Sequence, residues 1–133
     1  MAEYLLDSNH AGALVTIGHK LRRSVRARNT AGDAFHLHVL VLSEVVFGFS
    51  TLPRAIQNAR EWATWRPLLT LVDLDESDAL GAASLRVDLR RRGRQLFLVD
   101  AFVAIAALRY NLTLLTTDRD FAAVPLLRTE NWM

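Results

Sequence analysis

Between Asp100 and Arg109 the chain reads DAFVAIAALR, apolar on nearly every side through Phe102, Val103, Ala104, Ile105, Ala106, Ala107 and Leu108. A helix with no polar face must be covered all round, so this segment is a buried helix. A turn follows at Tyr110-Asn111, then a short apolar strand over Leu112 to Leu115, then Asp118 and Asp120. Asp100 is therefore an acid at the lip of a core, and the next strand runs out into two more. Each acid has an ordinary explanation. Asp is a favoured N-cap whose charge suits the positive end of a helix dipole, and Asp in TDRD is common turn chemistry. What separates the two readings is whether other acids recur in the same kind of place.

The chain of 133 residues has the length of one domain, spanning 1–133, and is 51% hydrophobic and 23% charged. That is enough to bury a core and too apolar for disorder. No apolar run reaches the ~18 residues of a membrane span. The opening MAEYLLDSNH lacks a basic region and a long apolar region, so no signal peptide is read. With no Cys there is neither a disulfide framework nor a thiolate metal site, and a cytoplasmic location fits. The net charge of +2 excludes a bulk polycation. Lys20 is the sole lysine, so the Arg-rich stretches reflect a bias of the whole chain.

Taken in order, Glu3 to Leu6 is a short strand followed at once by Asp7-Ser8-Asn9, and His10 to His19 is mildly helical. Lys20 to Asn29 reads as a solvent-facing helix. Phe35 to Leu42 reads as a second strand, with Ser43-Glu44 directly after it and Val45 to Phe49 continuing as helix. Pro53 suits the first turn of a helix that runs to about Trp65 and is closed by Pro67. Leu68 to Leu74 is a third strand. Asp75 to Gly93 is the clearest helix, with acids in its first turn, Arg90 to Arg92 in its last, and a glycine at the stop. Leu96 to Val99 is an extended approach to Asp100. Leu112 to Leu115 is a fourth strand, and Leu126 to Thr129 a fifth.

Strands alternating with helices imply an α/β sandwich with a mainly parallel sheet. In such sheets sites lie beyond the carboxyl ends of the strands. Asp7, Glu44 and Asp118 each follow a strand and Asp100 opens the buried helix, so all four reach one edge. Asp75, Glu76 and Asp78 are sufficiently explained as first-turn helix charges. Four carboxylates at one edge repel, and unless they are neutralised some take up protons. The usual neutraliser is a hard divalent cation with oxygen ligands, Mg²⁺ or Mn²⁺. Mg²⁺ accepts phosphate as a further ligand, which points to metal-assisted attack of water on a phosphodiester.

Four pieces then carry a family likeness: YLLDSNH, VLSEVVFGF, LVDAFVAIAAL and LLTTDRDFAAVPLLRTENW. In order and spacing the chain resembles PIN-domain ribonucleases, and most closely the VapC-type toxins of bacterial toxin–antitoxin pairs, including the FitB-like branch. The resemblance implies a PIN-like three-layer α/β/α sandwich and a Mg²⁺-dependent endoribonuclease toxin neutralised by a cognate antitoxin. It implies Asp7, Glu44, Asp100 and Asp118 as the catalytic, metal-binding acids, with Asn9 helping to hold the site, and it implies a homodimer. The family more often has Thr where this chain has Ser8, and the hydroxyl is kept. Asp120 is either an outer ligand or a loop-orienting group. Thr116 and Thr117 either bond Asp118 or cap the strand.

Other residues are read as structural. His36 and His38 stand at the start of their strand, the wrong end for the site. His10 packs at a helix start, and Trp62 and Trp65 join the core. Arg22, Arg23, Arg26 and Arg28 fit RNA phosphates or a solvated helix equally well. Three rival functions remain at this stage. A phosphoacceptor domain needs a Lys late in the chain, which is missing. The others are a non-catalytic PIN-like nucleic-acid-binding module and a DNA nuclease on the same scaffold.

Overall fold

A computed structural model of the chain describes residues 1–133. Its spine is five strands, β1 (Glu3–Leu6), β2 (Ala34–His38), β3 (Leu69–Val72), β4 (Thr113–Leu115) and β5 (Thr129–Glu130). They form one sheet in the order β3-β2-β1-β4-β5, and every neighbouring pair runs parallel. Helices make the crossovers. α1 (Ser8–Ala13) and α2 (Lys20–Thr30) join β1 to β2, and α3 (Val39–Ser50) and α4 (Ala55–Trp65) join β2 to β3. α5 (Glu76–Arg91) and α6 (Leu98–Arg109) join β3 to β4. The order steps one way from β1 to β3 and then back past β1 to β4. Right-handed connections therefore put α1 to α4 on one face of the sheet and α5 and α6 on the other. The sandwich expected from the sequence is present, with a sheet parallel throughout.

β1 and β4 are covered on both faces and read as continuous apolar runs for that reason. Leu5 faces Leu114 and Leu6 faces Leu115 across the sheet, all fully buried. α6 buries Ala101, Val103, Ala104, Ala106 and Ala107, as its all-round apolar sequence requires. Gly81 lets α5 close onto it: a Cβ there would already touch Ile105 at 3.4 Å. Trp62 and Trp65 both belong to the core.

Several boundaries differ from the sequence reading. β2 stops at His38, and Val39 to Leu42 is the first turn of α3 rather than strand. An apolar run buried in a helix looks like one buried in a sheet. The decision falls to His38, whose Nδ1 accepts from Leu40 N–H at 3.1 Å and caps the helix. Glu44 consequently sits within α3, not directly after a strand. α6 starts at Leu98, so Asp100 is its third residue and the extended approach ends at the N-cap Phe97. Pro53 lies ahead of α4, which starts after Arg54 in a left-handed conformation (φ 66°). Pro67 falls in a 3₁₀ turn over Arg66–Leu68. α1 ends at Ala13, short of His19.

Candidate active site

β1 is flanked on one side by β2 and on the other by β4, so the sheet order reverses there and the chain leaves the carboxyl ends of β1 and β4 in opposite directions. A crevice outside a parallel sheet opens at such a point. Asp7 stands at it. Its backbone N–H extends the ladder to Leu115 O at 3.0 Å, and its side chain caps α1, with Oδ1 accepting from Ser8 N–H at 2.8 Å. The other oxygen, Oδ2, accepts from Thr116 Oγ1 at 2.7 Å and from Asn9 Nδ2 at 3.3 Å.

Thr116 ties two acids together. Its hydroxyl donates to Asp7 while accepting the Asp118 N–H at 3.0 Å. Asp118 in turn accepts Asp120 N–H on Oδ1 at 2.8 Å, which opens a 3₁₀ turn over Arg119–Ala123. Asn9 fastens the same loop, its Oδ1 accepting from Thr117 N–H at 3.3 Å. The sequence leaves Thr116 and Thr117 the same two roles. The buried hydroxyl that bridges the acids is Thr116, and Thr117 contributes its backbone amide while its side chain is exposed. Period-two alternation does not separate the two threonines, because Leu114 and Leu115 are both fully buried and β4 is covered on both faces. Ser8 caps nothing with its own hydroxyl and supplies the amide that Asp7 holds.

The acids feel one another. Burial raises the Asp100 carboxyl to about 6, and the charges of Asp7, Asp118, Glu44 and Asp120 push it the same way. Burial, then Asp7, also raises Glu44. None of these five carboxylates is in an ion pair with Arg, Lys or His. Their donor chemistry fits a hard divalent cation, which takes carboxylate oxygen and relieves such repulsion. The fit is one of charge and ligand type and not of a finished shell: no three His, Asp or Glu side chains close on one point as they stand.

The histidines have structural partners. His10 is fully buried; its Nε2 accepts Trp132 N–H at 3.0 Å, so Nδ1 carries the proton and donates to Asn9 Oδ1 at 2.7 Å. Burial, with a smaller push from His19, lowers it to about 4, which keeps that ring neutral. His36 pairs with Glu3 at 3.1 Å. His38 ends β2 rather than starting it, and burial lowers its basicity while it serves as a cap.

A model of the PIN domain matches residues 4–127 of the chain. The chain belongs to the PIN domain family. Among curated proteins it is similar to Ribonuclease VapC2 of Rickettsia felis, 28% identical over 94 residues that make up 70% of each chain. Its fold matches a chain of VapBC2 from Rickettsia felis bound to a promoter DNA fragment, with a TM-score of 0.86 and 22% identity over 98% of this chain and 99% of that one. It also matches DNA-bound VapBC from Salmonella typhimurium, at TM-score 0.84 and 22% identity over the whole of both chains. FitAcB from Neisseria gonorrhoeae follows at TM-score 0.76 and 20% identity over 96% of each.

Proposed function

We propose that this PIN domain is a Mg²⁺-dependent endoribonuclease, the toxin of a toxin–antitoxin pair. The observation that carries the reading is the uncompensated set of acids around Asp100, at the crevice of a PIN-family chain whose curated relative is named a ribonuclease. Asp7, Glu44, Asp100 and Asp118 would hold the ion, with Asp120 at the outer edge of the set. A bound Mg²⁺, or Mn²⁺ in its place, would supply the charge that offsets the phosphate and promote attack of water on phosphorus. The chain's own contribution is placement. Thr116 and Asn9 fix Asp7, and through the same hydroxyl Asp118 is set against it. Because water attacks and not a 2′-hydroxyl, the products carry 5′-phosphate and 3′-hydroxyl ends. His10, which bonds to Asn9 of this edge, has both ring nitrogens engaged and is kept neutral by burial, in line with that route.

End-group analysis of RNA cleaved by the purified protein tests the reading. Products with 5′-phosphate that vanish on chelation are expected. Cyclic 2′,3′-phosphates persisting in EDTA would overturn it, and cleavage of DNA alone would move it to a deoxyribonuclease.

The partners follow from the same reading. No helix is long and apolar enough to cross a membrane, and we place the action in the cytoplasm, on RNA. α3 and α4, with the loop between them, expose Val46, Phe47, Leu52 and Ile56, the kind of apolar surface that marks a protein interface. A second copy of the chain and a cognate antitoxin are the partners proposed. Light scattering at micromolar concentration is expected to report a dimer, and adding the antitoxin is expected to stop cleavage.

A further inference from the structure

Two open cavities lie side by side around the connection between α5 and α6. One, of about 540 Å³, is lined by Arg94, Phe97, Arg119 and Asp120 among others. The other, of about 620 Å³, is lined by Arg86, Val87, Arg90 and Arg94 on the exposed side of α5. Arg94 and Gln95 form a wall common to both. The combined groove begins at Asp120, whose N–H donates to Asp118 Oδ1 at 2.8 Å, and leads away from the acids over four arginines.

These arginines differ from three of the four on α2, where Arg23 alone has no partner. There, Arg22 pairs with Glu61 at 3.3 Å, Arg28 with Asp33 at 3.5 Å, and Arg26 lies over the Trp65 ring. The fold has used their charge. In the groove, Arg86 is pinned by its Nε donating to Leu96 O at 3.0 Å, and its remaining guanidinium nitrogens have no carboxylate. Arg90, Arg94 and Arg119 have no carboxylate partner at all. Beside them Phe97, the N-cap residue of α6, is 63% exposed. A large ring held at a helix start and left in water, next to unpaired guanidinium groups, suits a ligand that alternates phosphates with flat bases.

We infer that this groove is the track for single-stranded RNA flanking the cut, with Arg90, Arg94 and Arg119 against successive phosphates and Phe97 beneath a base. The inference rests on the ribonuclease reading for its ligand and on the groove for its route. Guanidinium–phosphate contacts give affinity that falls with salt, whereas stacking on an aromatic ring does not. The two kinds of residue can therefore be told apart.

The test uses fluorescence anisotropy with a short labelled single-stranded RNA of mixed sequence. It is done in Mg²⁺ on the full chain carrying Asp100→Asn, so that binding is read without turnover. Arg90→Gln with Arg94→Gln is expected to weaken binding at least tenfold. It should also flatten the plot of log affinity against log salt by about 0.7 per lost contact. Phe97→Ala is expected to cost roughly tenfold with the slope unchanged. Arg23→Gln with Arg60→Gln, on α2 and α4, removes the same charge elsewhere and should do little. Unchanged affinity in the groove variants, or an equal loss in the α2–α4 pair, would overturn the track. So would variants that keep RNA binding and lose binding of the antitoxin, which would assign the groove to an acidic protein segment. Metal-dependent cleavage by the wild type with groove variants of normal affinity would refute the track alone. Groove-dependent binding without cleavage would refute the nuclease alone.

Discussion

The molecule has two clusters of acids at helix starts, and they are built oppositely. At the start of α5, Asp75 and Asp78 form a reciprocal capping box, each accepting the other's backbone N–H, at 3.0 and 2.9 Å. Arg109, from the end of α6, closes on Asp78 at 2.9 Å and on Asp75 at 3.4 Å. Asp75 and Asp78 thus share one guanidinium, and Glu76 beside them is exposed to water. At the carboxyl edge of the sheet Asp7 and Asp118 have hydrogen-bond donors, Glu44 and Asp100 have none, no cation pairs with any of them, and Asp100 is driven up to about 6. The first cluster is finished by folding. The second is left with a deficit that only something outside the chain can fill. What marks a candidate site is thus not the number of acids but whether the fold has already neutralised them.

The largest test of this contrast is on cleavage. Asp7→Asn and Asp100→Asn are each expected to lower the rate by roughly 10²–10³-fold, the scale for removing one group that stabilises developing charge. The same change at Asp75 should leave the rate near wild type, as measured with a fluorogenic RNA. A comparable loss at Asp75 would erase the distinction.

Thr116→Val comes next. It removes the hydroxyl between Asp7 and Asp118 without touching either acid, and a loss of about 10–100-fold is expected, as for other groups that orient ligands. Kinetics at saturating Mg²⁺ against limiting Mg²⁺ would check that the defect is largest when metal is scarce.

Stability gives the smaller effects, with opposite signs in the two clusters. An acid whose folded pKa is raised costs the fold nothing below its unfolded value, near 4. The cost grows as pH rises and is complete above about 6. Metal-free protein should therefore lose stability between about pH 4 and pH 6, and Asp100→Asn should remove that loss. The gain at pH 7 should be roughly 1–2 kcal/mol, less than the full ~1.4 per pKa unit because the carboxyl is half open to solvent. Urea melts across that window in EDTA would show it. At the other cluster, Arg109→Met leaves the buried Asp78 carboxylate without its partner, and Tm should fall by a few degrees at pH 7. A rise there, or a fall for Asp100→Asn, would reverse the comparison.

Much of this was legible in the sequence because parallel β/α architecture ties position to neighbourhood. An acid directly after a buried strand has little choice of where to go, and Asp7 and Asp118 were placed by that alone. Glu44 was placed by the wrong element. It reaches the acids from the second turn of α3, because VLVL at residues 39–42 is apolar enough for either structure and only the His38 cap decides. Thr116 and Thr117 were left with the same two roles, since which of two adjacent threonines bridges the acids depends on register across β1 and β4. The groove beside Phe97 was not legible at all. It joins Arg86 and Arg90 of α5 to Arg119 in a distant turn, and in a chain whose bases are nearly all arginine no local pattern separates engaged side chains from idle ones.

The bond from Thr116 to Asp7 spans 109 residues of chain. On a ribosome the amino-terminal part emerges and begins to fold first, at about 5–20 residues per second. By the time β3 is out, β1, β2 and β3 can pair, but the outer edge of β1 still awaits β4, and Asp7 has neither its threonine nor its neighbour Asp118. The acids come together only when nearly the whole sequence has been made. A chain that would be harmful to the RNA around it is thereby inert for most of its own synthesis, and a truncated product ending before residue 116 should stay so.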